Sequence, residues 1–167
     1  ISTHNLIGTL GNNVRIDDDV QLKGKIDIKS YAHIARGCTL SGGNYGILLD
    51  EFSSLANYVQ IFSSSDDYYS PSIPVGSLND KLRKSFSKLY AKKIIIGKCC
   101  LIGSLSVLLP GTNMGDYSSI GALTIVNKKI NKGFFFQSRT KHILKKRNIK
   151  LFEKLHKNIR KKLNENI

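Results

Sequence analysis

The chain contains no apolar run approaching the roughly 20 residues that cross a bilayer as a helix. A signal-peptide pattern is also missing from the N-terminus, so the expectation is a soluble, intracellular and cytoplasmic protein. The first residue is Ile1 rather than Met, and the natural start is not taken to be present. Cysteine is scarce. Cys38, Cys99 and Cys100 are too few and too awkwardly placed for a disulfide framework, and all three are expected to be packed, reduced thiols. No paired Cys/His spacing suited to zinc occurs, so no metal is expected. Histidine is limited to His4, His33, His142 and His156. Acidic residues number 12 against 26 Lys and Arg, giving a net charge of +14. That excess is uneven: residues 128–167 hold 14 basic side chains against Glu153 and Glu165 alone. Concentrated basicity points to one anionic site or docking face rather than to a general polyanion binder. Neither an aromatic stacking platform nor a nucleic-acid motif accompanies these lysines, so nucleic acid is not an expected partner.

What the chain does have is a six-residue beat. An aliphatic residue stands at Ile96, Ile102, Leu108, Met114, Ile120 and Val126, with Cys100, Ser106, Thr112, Ser118 and Thr124 four positions after the first five. The same spacing runs through Leu10, Ile16, Leu22, Ile28, Ile34 and Leu40, with Val14, Val20, Ile26, Ala32 and Cys38 between them. It slips by three residues around Gly42, Gly43 and Gly46, then resumes at Leu49, Leu55 and Ile61, with Ser53, Val59 and Ser65 in the small slot. Glycine suits the slip, because a bulge needs backbone angles that a side chain forbids. A helix has a period of 3.6 and a half-exposed strand a period of 2, so a sustained six describes neither. It describes flat faces wound around a narrow interior, three hexads to a turn. The fold expected is all-β, a parallel β-helix of about five coils, roughly 24 Å tall at the usual strand spacing.

The beat divides the chain of 167 residues, whose 41% hydrophobic content suits one domain with a continuous core. Residues 1–127 form the β-helix, interrupted by an insertion at about 67–93. That insertion contains Tyr68, Tyr69, Pro71, Pro74, Gly76 and six Lys or Arg residues. A loop of this length in a compact repeat is more often a functional arm than linkage. Residues 128–167 form a basic tail. Within it, from about Arg147 to Asn164, Phe152, Leu155, Ile159 and Leu163 recur at steps of three and four, the mark of an amphipathic helix. That helix is expected to cap the open end of the coils, since an uncovered last coil exposes unpaired backbone edges. Its basic face also raises the expectation of a peripheral contact at the inner face of the membrane.

The stretch Ile102-Gly103-Ser104-Leu105-Ser106-Val107-Leu108-Leu109-Pro110-Gly111, continuing through Met114-Gly115-Asp116 to Ile120-Gly121-Ala122-Leu123-Thr124-Ile125-Val126, looks like the hexapeptide-repeat acyltransferases. Ile61-Phe62-Ser63-Ser64-Ser65-Asp66-Asp67-Tyr68, with Pro71 and Pro74 after it, is similar to the bacterial sugar O-acetyltransferase branch that carries a Ser-Asp-Asp-Tyr element. Ala32-His33-Ile34-Ala35 and Leu40-Ser41-Gly42-Gly43 resemble the same branch. This resemblance implies a left-handed β-helix, acetyl-CoA as donor, a homotrimer, and active sites in the clefts between neighbouring columns. It also implies, residue by residue, that Gly103, Ser104, Gly121 and Ala122 border the pantetheine arm, and that Lys128 and Lys141 meet CoA. The family's Gly-x-Pro-Ala element reads Gln137-Ser138-Arg139-Thr140 here.

Acyl transfer needs a group to take the acceptor's proton, and near neutral pH histidine is suited to it. His33 is the histidine inside the coils, at the last place of a hexad and facing outward, so it is the candidate general base; its plain alternative is a hydrogen-bonded surface histidine. In the maltose and galactoside acetyltransferase branch the catalytic histidine follows the equivalent of Ile61 by five residues, where this chain has Asp66. Asp66 and Asp67 are therefore candidates to orient His33, stabilise its cation or hold sugar hydroxyls, although paired Asx residues also cap turns. The reading is an acetyl-CoA-dependent O-acetyltransferase acting on a sugar hydroxyl of a cell-surface glycan or its precursor. The alternatives are an N-acetyltransferase of a nucleotide-linked amino sugar, and a non-catalytic β-helix scaffold with a membrane-contacting tail. A γ-class carbonic anhydrase needs three zinc-binding histidines and does not fit.

Overall fold

The computed structural model describes residues 2–73, 79–138 and 149–165. It divides into two compact units: Ile1–Ser65 with Ala91–Thr140, and Asp66–Tyr90 with Lys141–Ile167.

The first unit is a parallel β-solenoid. On one face the strands Arg15–Ile16, His33–Ile34, Ser54–Leu55, Leu101–Ile102, Ser119–Ile120 and Phe135–Phe136 stack in that order, all in parallel. The other two faces share a nine-stranded sheet, because the long strands Gln21–Ile28 and Thr39–Leu49 each serve both. Thr39–Leu49 pairs at its start with Gln60–Phe62 and at its end with Ile94–Ile96. The glycine-rich slip is where that strand bulges: register shifts flank the Gly24–Gly43 pair, and both residues hold positive φ, 75° and 47°.

The hexad beat is the core. Ile96, Ile102, Leu108, Met114, Ile120 and Val126 are all at most 2% exposed, and the small residues between them are equally buried. The buried hydroxyls are satisfied at the backbone: Thr112 Oγ1 donates to the carbonyls of Leu109 and Val126 at 2.8 and 2.9 Å, and Ser106 Oγ to that of Gly121 at 3.0 Å. A small polar side chain at these places therefore costs no unpaired group in the core.

Six strands stack on one face, so the column is taller than the five or so coils the beat predicts. The addition lies beyond Val126, where Lys129–Ile130 and Phe135–Phe136 pair onto the coils before them without an aliphatic hexad to announce them. Three other expectations change. Leu10 is exposed, and pairs with Ile28 on the next coil through an isolated bridge. Ser63 rather than Ser65 fills the small buried slot after Ile61. Cys38 and Cys100 are buried, but Cys99 is exposed, since it occupies a corner with φ 53° that turns its side chain away from the core.

Such corners form two ladders. Tyr31, Phe52, Cys99 and Tyr117 hold positive φ on one, and Asp19, Tyr58, Leu105 and Leu123 on the other. Each non-glycine residue there costs on the order of 1–2 kcal/mol in left-handed backbone. Bonds between coils offset it: the N–H of Tyr31 donates to Asn12, that of Phe52 to Ser30, and that of Leu123 to Ser104. The Tyr31 and Phe52 rings stack in parallel with centroids 4.8 Å apart.

The second unit begins within the strand Ser64–Asp66, which pairs with Leu89–Ala91. Its helix Asp80–Phe86 was not evident from the sequence; Asn79 caps it, with Oδ1 accepting the N–H of Leu82 at 3.1 Å. The C-terminal helix spans Ile149–Asn164. The side chains of Phe152, Leu155, Ile159 and Leu163, on which the capping expectation rests, lie outside the described residues.

Candidate functional site

The pairing register of the six-stranded face relates His33 to the glycine candidates on later rungs. Arg15, His33, Ser54, Leu101, Ser119 and Phe135 occupy matching places on successive rungs. Two residues further along the same rungs come Asp17, Ala35, Ala56, Gly103, Gly121 and Gln137. His33 therefore shares an edge with Gly103 and Ser104, two rungs away, and with Gly121 and Ala122, three rungs away. At about 4.8 Å per rung these separations are roughly 10 and 14 Å along the column.

His33 is half-buried and held from both sides. Its Nε2 lies 3.1 Å from Asp17 Oδ2, on the coil before it. Its Nδ1 lies 3.4 Å from Ser54 Oγ, on the coil after it. Asp17 also accepts from Arg15 Nε at 2.8 Å. The hydrogen bond from His33, followed by that from Arg15, holds the Asp17 carboxyl below its ordinary range, so it is the ionised partner. An ionised Asp17 on Nε2 selects the imidazole tautomer with its proton there, which leaves the Nδ1 lone pair directed at Ser54.

The carboxylate bonded to His33 is thus Asp17, not Asp66 or Asp67. Asp66 is exposed at the end of its strand. Asp67 is a turn residue: Oδ1 accepts the N–H groups of Tyr69 and Ser70 at 3.0 and 2.9 Å, and Ser70 chiefly, then Tyr69, keep its carboxyl acidic. Two things hid Asp17 and Ser54 from the sequence. Asp17 is not in the row of His33 but diagonal to it, in an Asp17-Asp18-Asp19 run that reads as a corner. Ser54 is displaced by the three-residue slip, since one regular coil of 18 residues after His33 falls on Glu51.

The donor-site candidates divide by what surrounds them. A Cβ on Gly103 would sit 2.3 Å from the Ala122 nitrogen, and one on Gly121 3.1 Å from the Gln137 side chain. Close stacking of coils is therefore enough to require glycine at Gly103, whereas at Gly121 the added atom would press only on the Gln137 and Phe135 side chains. Ser104 is half-buried and Ala122 exposed beside them. Lys128 is exposed, with Nζ 5.0 Å from the centre of the Phe136 ring. Lys141, Arg139 and Thr140 lie outside the described residues. Among the described residues no group of three or more His, Cys, Asp or Glu side chains is arranged to hold a metal ion, and no helix is long and apolar enough to cross a membrane.

No family model matches the chain. It is 31% identical over 123 residues to a dTDP-4-amino-4,6-dideoxy-D-glucose acyltransferase of Escherichia coli, a match covering 72% of this chain. The chain spans only 62% of that relative's length. Among solved structures it is similar to AntD, an N-acyltransferase from Bacillus cereus. One AntD structure holds dTDP-4-amino-4,6-dideoxyglucose and coenzyme A, with a TM-score of 0.75, 25% identity, and coverage of 96% of this chain and 84% of that one. Another holds dTDP and 3-hydroxybutyryl-CoA, with a TM-score of 0.72, 25% identity, and coverage of 97% and 90%. A maltose O-acetyltransferase from Clostridium difficile 630 shares the fold at a TM-score of 0.53 and 22% identity, over 84% of this chain and 70% of that one. The β-solenoid of this chain is the fold of these sugar acyltransferases.

Proposed function

We propose that this protein is an acyl-CoA-dependent N-acyltransferase whose acceptor is the amino group of a nucleotide-linked amino sugar. The observation that carries the chemistry is the Asp17–His33 pair, on the same edge as Gly103, Ser104, Gly121 and Ala122. The acceptor class is supported by the 31% identity to an enzyme named for an amino sugar and by the likeness to AntD. A sugar amine thus replaces the sugar hydroxyl expected from the sequence as the preferred nucleophile.

In the proposed reaction the amine nitrogen attacks the thioester carbonyl, the C–S bond breaks, and the electron pair leaves on sulfur. The nitrogen's proton passes to His33, whose cation Asp17 stabilises, and then to the departing thiolate. The CoA-bearing edge brings the acyl carbon to the acceptor, which removes much of the entropic barrier to a bimolecular step. A homotrimer with the site between neighbouring columns belongs to the same proposal, as do Lys128 and Lys141 as partners of CoA phosphates. Asp66 and Asp67, in the Ser65-Asp66-Asp67-Tyr68 element, are placed in it as acceptor-binding residues.

The test is thiol release from acetyl-CoA and 3-hydroxybutyryl-CoA, measured with a dTDP-linked 4-amino-4,6-dideoxy sugar and with its 4-hydroxy counterpart. Turnover with the amine and little with the alcohol is expected. Turnover confined to the alcohol would restore O-transfer and remove this proposal.

A further inference from the structure

We infer that Ser54, not the imidazole of His33, is the group that meets the acceptor's proton, so that proton transfer runs through a three-member chain, Ser54–His33–Asp17. This rests on the acyl-transfer reading and adds a residue that neither the repeat nor the resemblance singles out.

The order of the rungs carries it. Along the edge, Asp17 comes first, His33 next, Ser54 third, and Leu101 with Gly103 and Ser104 fourth. The proposed donor residues thus lie on the far side of Ser54 from His33. A thioester presented from the rungs of Gly103 and Gly121 reaches the Ser54 hydroxyl before it reaches the ring.

Hydrogen-bond directions agree. Nε2 is occupied by the ionised Asp17 at 3.1 Å, so the basic nitrogen is Nδ1, and Nδ1 faces Ser54 Oγ at 3.4 Å. Nucleophile-side hydroxyl, base and orienting carboxylate in sequence are the arrangement by which a hydroxyl is activated, and such contacts are commonly long before substrate binds. The strand backbone at Ser54 is held in register, because its N–H donates to the Cys100 carbonyl at 2.8 Å. Leu101, the next residue in the row, is exposed and apolar, and offers no competing proton acceptor.

The step balances. As the amine nitrogen bonds to the acyl carbon, its proton moves to Ser54 Oγ while the Ser54 proton moves to His33 Nδ1. The C–S bond breaks, the electron pair goes to sulfur, and the imidazolium returns one proton through Ser54 to the thiolate. The products are the amide and free CoA thiol, with His33 neutral again.

Two measurements test it. The first needs no substrate: nitrogen-15 NMR of labelled histidine in the full chain at pH 8 reports the His33 tautomer. A proton on Nε2 is expected; a proton on Nδ1 overturns the relay whether or not an acceptor has been found. The second uses the dTDP-linked amino sugar and acyl-CoA with Ser54→Ala and Ser54→Thr. Ser54→Ala is expected to lower kcat at least tenfold, with both KM values changed less than threefold, and Ser54→Thr to recover most of the loss. Wild-type kcat in Ser54→Ala, alongside an inactive His33→Ala, removes the relay but leaves acyl transfer standing. Intact-mass detection of an acyl group on Ser54 after mixing with donor alone also overturns it, since Ser54 would then be a nucleophile and not a conduit.

Discussion

Asp17 and His33 face each other across one coil boundary, Oδ2 to Nε2 at 3.1 Å, although 16 residues separate them in the chain. Coiling makes neighbours of residues about 18 apart, and the diagonal reach of the imidazole accounts for the difference. The pair combines a titratable ring with the carboxylate that fixes its tautomer, so its removal has a defined consequence.

His33→Ala is expected to lower kcat by about a hundredfold or more, the usual contribution of a placed base. The side chain faces outward from the sheet, so the thermal unfolding midpoint should move little. Steady-state kinetics beside a melting curve separate the two effects; unchanged turnover would reassign the base.

Asp17 makes folding pH-dependent with a definite sign. Its carboxyl lies below the ordinary value of 3.8 in the folded chain, so its stabilising contribution is complete above that value. It is lost as pH falls through the folded value. Below about pH 5, a limit set by the carboxylate reference value, the melting curves of the wild type and Asp17→Asn should therefore converge as pH falls. A gap that widens below about pH 5 would contradict the hydrogen bonding described.

Two members of the same six-residue beat should behave oppositely. Ile102 is fully buried and Leu10 exposed. Ile102→Ala is expected to cost about 2–5 kcal/mol, including the cavity it leaves. Leu10→Ala should stay within about 0.5 kcal/mol, as at other surface sites. Chemical denaturation of each variant measures both, and equal losses would mean that the first coil is packed as tightly as the middle.

Gly103→Ala separates stacking from ligand binding. The added Cβ would meet the backbone of the next coil at 2.3 Å, so a loss of stability of about 1–3 kcal/mol, the cost of ordinary overpacking, is expected without any acyl-CoA present. Unaltered stability with weakened CoA binding would show instead that the glycine is there for the donor.

The sequence by itself determined the column and its filling. A period of six, with a large aliphatic and a small residue alternating at the inward places, has one consistent packing, and the structure buries nearly every member from Val20 to Val126. Periodicity reports this because each residue's place depends only on its own coil. It fell silent past Val126, where Phe135–Phe136 continues the six-stranded face without the aliphatic signal. It also passed over Asp80–Phe86, too short a helix to show a period. It singled out His33, and left the partners of His33 to the fold. Which carboxylate flanks that ring depends on a diagonal reach to the coil before it, and which hydroxyl does so depends on how many residues lie between successive coils, a number that the three-residue bulge at Gly42, Gly43 and Gly46 resets. Only the tertiary register, which sums every slip along the chain, brings Asp17 below His33 and Ser54 above it.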